Sequence, residues 1–183
     1  MRDDIIQATA VNGGHIGASL CCIELIIALH RVFDTPRDSF VFDVGHQAYA
    51  HKMLTGRRMQ FYKLRKENGI SGFTNRFESE HDVFGAGHAS TAVSAALGIL
   101  EGKRLQDDPH HVVAVMGDGA LTGGLTFEGL NNVGELKRPL IIVLNDNRMS
   151  IDHNVGALKE SFDKGSKFAK HFFEVLGIDY WGP

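Results

Sequence analysis

His111-Val-Val-Ala-Val-Met-Gly-Asp-Gly119 and Pro139-Leu-Ile-Ile-Val-Leu-Asn-Asp-Asn147 decide the fold. Each opens with an apolar run that shows no polar alternation. That is the pattern of a strand buried on both faces of a parallel sheet. Residues 124–135 between them read as a helix. Strand, helix, strand makes a βαβ unit, so the fold class is α/β, a parallel sheet with helices on both faces. Both strands then end on the same sheet edge, where open α/β sheets bind ligands.

At that edge stand Gly117-Asp118-Gly119 and Asn145-Asp146-Asn147, with Asp118 and Asn147 29 residues apart. Glycines on either side of Asp118 let the backbone approach a ligand and leave the carboxylate free. A carboxylate, an amide oxygen and a main-chain carbonyl are hard donors that suit Mg²⁺. Using Asn147 in place of a second carboxylate keeps the local negative charge low, which favours phosphate oxygens as remaining ligands. The amides of Gly119 and Ala120 are placed to meet such phosphates. Either triplet alone is an ordinary surface turn. The pairing behind two buried strands makes a metal–diphosphate site the better account.

Outward from this centre, residues 2–11 read as helix. Gly13-Gly14-His15-Ile16-Gly17 interrupts the chain, and Ser19 is the expected cap of a helix reaching Phe33. Residues 39–43 read as a short buried strand, 46–54 as a helix, 67–87 as a long ordered loop, and 91–100 as a helix with an alanine-rich face. Loops of that length inside compact domains are usually functional or mobile. A helix over 168–176 and a strand-like end at 178–181 close the reading. No repeat or linker divides the chain, so 1–183 reads as one domain.

The chain has 183 residues, 43% apolar and 22% charged, with a net charge of −3 and no long run of either sign. That is enough for a normal core and argues against bulk-charge binding to nucleic acid. The longest apolar runs are too short to span a bilayer. The start of the chain lacks a secretory h-region. Cys21 and Cys22 are neighbours and cannot staple distant segments, which points to a reduced, cytosolic setting.

Three of the 10 histidines follow glycine: His15, His46 and His88. They fall at loops or element starts, where an imidazole can bind phosphate or shuttle a proton near pH 7. Each could equally be a packed histidine. No spacing of His, Glu or Cys supports a zinc site. His110 and His111 read as solvent-facing. Arg57-Arg58 reads as an exposed helix end rather than an acid-binding pair.

Asp43-Val-Gly-His-Gln-Ala-Tyr49, Leu54-Thr-Gly-Arg-Arg58, Gly117-Asp-Gly-Ala-Leu-Thr-Gly-Gly124 and Leu144-Asn-Asp-Asn147 resemble the 1-deoxy-D-xylulose-5-phosphate synthase family. Asn12-Gly-Gly-His15, Gly87-His-Ala-Ser-Thr91 and Ser150-Ile-Asp-His-Asn-Val-Gly-Ala-Leu158 follow its pattern, and the order holds along nearly the whole chain. The DVGHQAY and GDGALTGG strings separate it from ordinary transketolases. The resemblance implies the thiamine diphosphate-binding fold and an enzyme that decarboxylates pyruvate and adds the two-carbon unit to D-glyceraldehyde 3-phosphate. It implies Mg²⁺ held by Asp118, Asn147 and the Met149 carbonyl, with Gly119, Ala120 and Asn147 serving the diphosphate. His46, Gly87, His88 and Ala89 would line the cofactor. His15, beside the reacting carbon, and His46 are the catalytic candidates.

It further implies that this chain is the first of three domains. The glutamate that activates the cofactor's ring belongs to the second, so the chain alone is expected to show no turnover. The missing domains would come in cis or from a second chain, in a homodimer that is cytoplasmic, or plastidial in a eukaryote. The segment near 159–172 is shorter than the family's. The small subunit of a split transketolase and a non-catalytic diphosphate-binding fragment are the alternatives.

Overall fold

Valine-rich Val112–Gly117 forms strand β2 and Ile141–Asn145 forms β3, in a computed structural model that describes residues 1–147, 154–163 and 165–182. The two strands pair in parallel, from Val113 opposite Ile141 to Gly117 opposite Asn145. Helix α7, Gly124–Leu136, connects them, so the βαβ unit stands as expected. β-branched side chains favour this pleated surface, and Val112 to Met116 are all buried. β3 departs from the expectation: all five of its residues are only half-buried. An apolar run reports strand propensity, whereas coverage depends on what packs against each face.

The chain divides into two compact units, Met1–His88 and Ala89–Pro183. In the second, α5 (Ala92–Leu105) packs on α7 through small residues. A Cβ on Gly129 would lie 3.1 Å from Val93 Cβ. Val93, Leu97, Met116, Leu121, Leu130, Val133 and Phe173 form the core. Each fully buried aliphatic side chain there contributes about 1.5–3 kcal/mol. After α6 (Asp118–Leu121), α7 and β3 come α8 (Ala157–Phe162) and α9 (Ser166–Val175).

No strand forms at 178–181, and the first amide of that stretch is turned back to cap α9. Gly177 turns with φ +76° and the Ile178 amide donates back to the Phe173 carbonyl at 3.0 Å, a six-to-one closure typical of helix C-termini. Tyr180 then stacks on Phe173, centroids 5.9 Å apart. His111 is exposed, and half-buried His110 sets its Nδ1 against Asp108.

The first unit holds α1 (Arg2–Asn12), α2 (Ile16–Cys21), α3 (Ile23–Val32), β1 (Ser39–Phe42) and α4 (Tyr49–Lys52). The single helix expected from Ser19 to Phe33 is two, meeting at Cys22. Ser19 is not a cap; it is buried inside α2 and its hydroxyl donates to the His46 carbonyl at 2.9 Å. The helix expected over 46–54 starts at Tyr49 and continues through a wide turn, Met53–Arg57, and a tight one, Arg58–Lys63. Arg57 corrects another expectation. It is 5% exposed and ion-paired inside the unit, while Arg58 is exposed and pairs with Asp4. Among the described residues no helix is long and apolar enough to cross a membrane.

Candidate functional site

In the second unit, Asp118 follows β2 directly and opens α6. The parallel register puts Gly117 beside Asn145, so Asp118 and Asn147 leave the same sheet edge. One Asp118 oxygen, Oδ2, accepts a hydrogen bond from the Asn154 amide. The other, Oδ1, is buried and has no hydrogen-bond partner among the described residues. Burial and the neighbouring Asp146 carboxylate push the Asp118 pKa up, against the main-chain amides of Asp118 itself, Asn147 and Gly119. A half-desolvated carboxylate with an unused lone pair and a like charge nearby is an environment that a cation relieves. Asp118, Asp146 and Asn154 line a narrow cleft with Leu121, Thr122 and Leu158.

Two hydroxyls hold the turn that follows. Ser90 Oγ and Thr126 Oγ1 each donate to the Ala120 carbonyl at 2.8 Å. Ser90 fits there because residue 123 is glycine, where a Cβ would sit 1.9 Å from its oxygen. Gly119 and Ala120 are thus held in a turn fixed from behind. Met149 lies outside the described residues, as do Ser150 to His153 of the motif ending at Leu158. Among the described residues there is no cluster of three or more His, Cys, Asp or Glu side chains able to hold a metal. The expected Mg²⁺ donor set has a single carboxylate, supplemented by amide and carbonyl oxygens.

In the first unit, His15 and His46 come together, ring centroids 5.3 Å apart and edge to face. His15 stands immediately before α2, and its N–H donates to the Tyr49 hydroxyl at 3.3 Å. This approach requires Gly14, where a Cβ would lie 2.8 Å from that same oxygen. His46 follows Gly45, whose φ of +81° makes the turn after β1. Both Nδ1 atoms are buried and lack hydrogen-bond partners among the described residues. Burial, reinforced by His15, lowers the His46 pKa to about 4; burial and then Arg65 lower that of His15. Both shifts favour the neutral ring, which has one N–H to donate and one lone pair to accept a hydrogen bond. Gly87, His88 and Ala89 are exposed, at the end of the long loop.

Sequence reasoning missed the parts played by Tyr49 and by Phe73, whose ring lies 5.4 Å from His15, and gave Ser19 the wrong one. Tyr49 stood inside a quoted motif, but nothing local showed that its hydroxyl reaches back 34 residues to His15.

Residues 1–167 match the family model described as 1-deoxy-D-xylulose-5-phosphate synthase. The chain is 61% identical over 173 residues to a 1-deoxy-D-xylulose-5-phosphate synthase of Anaeromyxobacter sp. (strain Fw109-5), covering 94% of this chain and 27% of that protein. It is 59% identical over 191 residues to the protein of that name from Thermus thermophilus, covering 100% and 31%. The chain thus spans under a third of the length of these relatives. Among solved structures, transketolase from Leishmania mexicana superimposes with a TM-score of 0.76 at 22% identity, over 96% of this chain and 29% of that one. At that identity the likeness is one of fold.

Proposed function

The chain belongs to the 1-deoxy-D-xylulose-5-phosphate synthase family, and from that premise we propose that it forms the Mg²⁺–diphosphate-binding part of an enzyme joining pyruvate to D-glyceraldehyde 3-phosphate with loss of CO₂. The observation that carries this reading is the buried Asp118 Oδ1, without a hydrogen-bond partner among the described residues, at the edge where β2 and β3 end. The donor chemistry fits the ion: Asp118 and the Asn147 amide oxygen, with the Met149 carbonyl by the family's pattern, are the residues proposed to hold Mg²⁺. Gly119 and Ala120 offer main-chain amides to the diphosphate. Thiamine diphosphate, when bound, supplies the carbanion chemistry that side chains lack.

The protein's part is to orient and to move protons. Burial favours the neutral form of His15 and His46, so each offers one N–H to donate and one bare nitrogen to accept a hydrogen bond. Their proposed task is to manage the protons of the carbonyl oxygens that react. His88 and the exposed Gly87–Ala89 backbone are proposed to line the cofactor. Because the chain spans under a third of its relatives' length, the remaining portion is needed in cis or from a second chain, and the 183 residues alone are expected to turn nothing over.

Isothermal calorimetry of the chain with Mg²⁺ and thiamine diphosphate tests the site. A saturable, Mg²⁺-dependent heat that vanishes in Asp118→Ala supports it; equal binding by both proteins defeats the metal assignment. For the activity, the complete protein is incubated with both substrates, Mg²⁺ and cofactor. Failure to release CO₂ from pyruvate would refute it.

A further inference from the structure

Beside the two histidines the first unit buries charges that the proposed chemistry leaves unused. Lys52, Arg57 and Asp82 are 0%, 5% and 1% exposed. Arg57 grips Asp82 with both ends of its fork, Nη1 to Oδ2 and Nη2 to Oδ1, each at 2.8 Å, and Nη1 also reaches Glu78 Oε1 at 2.9 Å. Lys52 Nζ bonds Glu78, and His51 Nε2 meets Asp82 Oδ1 at 3.2 Å. Burial pushes Asp82 up, but hydrogen bonds from Arg57, His51 and the Asn75 amide outweigh it and hold the carboxyl below the usual range.

Such a cluster is a poor source of stability, since apolar side chains of equal volume would serve as well. Its geometry points to another use. The carboxylates also hold the loop: Glu78 Oε2 accepts the Ser71 amide at 2.7 Å, and Asp82 Oδ2 accepts the Asn75 amide at 2.8 Å. Midway between those amides is Phe73, whose ring faces His15. The same stretch brings Thr74 against Gly45, next to His46, and Gly72 against Arg65, one of the charges acting on His15. A segment without helix or strand has no ladder to order it, so these carboxylate–amide bonds share that part with turn bonds such as the Ala86 amide to the Thr74 carbonyl.

We propose that Arg57 is a positioning residue, which acts through Asp82 and Glu78 to clamp the 71–75 turn and so to hold Phe73 against His15. The clamp matters for catalysis only if His15 has the role assigned above. Its existence is tested independently, by NMR titration of ¹³C-labelled His15 in the 183-residue chain without cofactor. Arg65 and His46 are the charged or titratable groups facing that ring, and the Tyr49 hydroxyl holds the His15 main-chain N–H.

Arg57→Lys keeps the charge and loses the fork. Released from Phe73 and Arg65, His15 becomes more hydrated, and its pKa should rise by about half a pH unit. Phe73→Leu should raise it similarly, and the double variant should add little to Phe73→Leu. Glu78→Gln, at the rim of the cluster, gives the same reading should Arg57→Lys fail to fold. A folded Arg57→Lys or Glu78→Gln with an unmoved His15, or fully additive effects in the double variant, would overturn the clamp. In the complete enzyme Arg57→Lys should lower kcat by about tenfold or more with KM little changed. If His15 shifts while kcat holds, the clamp stands and the assigned role of His15 falls.

Discussion

Gly134 and Gly98 make a matched pair in which one substitution should act with opposite signs. Both are helical, Gly134 in α7 and Gly98 in α5. Replacing a helical glycine with alanine gains about 0.8–1 kcal/mol of propensity. At exposed Gly98 a new Cβ meets nothing within 4 Å, so that gain stands. At buried Gly134 the Cβ would fall 1.8 Å from the Leu176 carbonyl oxygen. Side-chain rotation cannot relieve this, because both groups are fixed to backbone and Leu176 belongs to the turn that caps α9. That turn must move by about 1 Å or more, an overpacking cost of about 3 kcal/mol, at the upper end of the usual range. Net, Gly134→Ala should lose about 2 kcal/mol, or about 4–8 °C in Tm. Gly98→Ala should gain about 1 kcal/mol, or about 2–4 °C. Calorimetric melting measures both, and hydrogen exchange should place the Gly134→Ala loss in α7 and α9. A Gly134→Ala melting point at or above that of the parent chain would refute the close backbone approach. So would Gly98→Ala and Gly134→Ala shifting Tm in the same direction.

Arg57→Met leaves Asp82 and Glu78 with less compensation in a buried setting. It should cost about 3–5 kcal/mol in urea unfolding of the first unit, and a loss under 1 kcal/mol would show that the cluster is hydrated. His30 is held down to about 4 by burial and by His51 and His81. Its unfolded counterpart takes a proton first, near 6.5, so stability is level above that pH, falls between about 6.5 and 4, and levels again below. Halved for its partial exposure, the effect is about 1–2 kcal/mol. His30→Gln, which keeps an N–H for His51, should remove that part of the fall; superimposable pH profiles would count against it. Tyr49→Phe removes the hydroxyl that receives the His15 amide. It should cost about 0.5–1.5 kcal/mol of stability and broaden the His15 resonance in NMR, and an unchanged spectrum would show that the anchor is idle.

The parts legible in the sequence are those whose cause is local. Unbroken apolar runs marked β2 and β3, and parallel pairing followed from the helix-length segment between them. Once both strands were placed, Gly117-Asp118-Gly119 and Asn145-Asp146-Asn147 had to leave one edge. Glycine beside His15 and His46 announced backbone turns, and both are there. None of this needed knowledge of what lies far away in the chain.

Only the tertiary structure decided what those residues touch. Arg57 and Arg58 are indistinguishable as neighbours in sequence, yet one is buried against Asp82, 25 residues on, and the other lies exposed. Phe73 carries no sign in the sequence that it will face His15, nor Ser19 that it will hold the His46 carbonyl instead of capping a helix. Ile178 to Trp181 has strand-like composition, but the Ile178 amide went to the α9 cap and no strand formed. Propensity and periodicity are properties of a few consecutive residues. Burial, electrostatic partnership and hydrogen-bond assignment are set by which surfaces meet, and the meeting of distant segments is what folding adds.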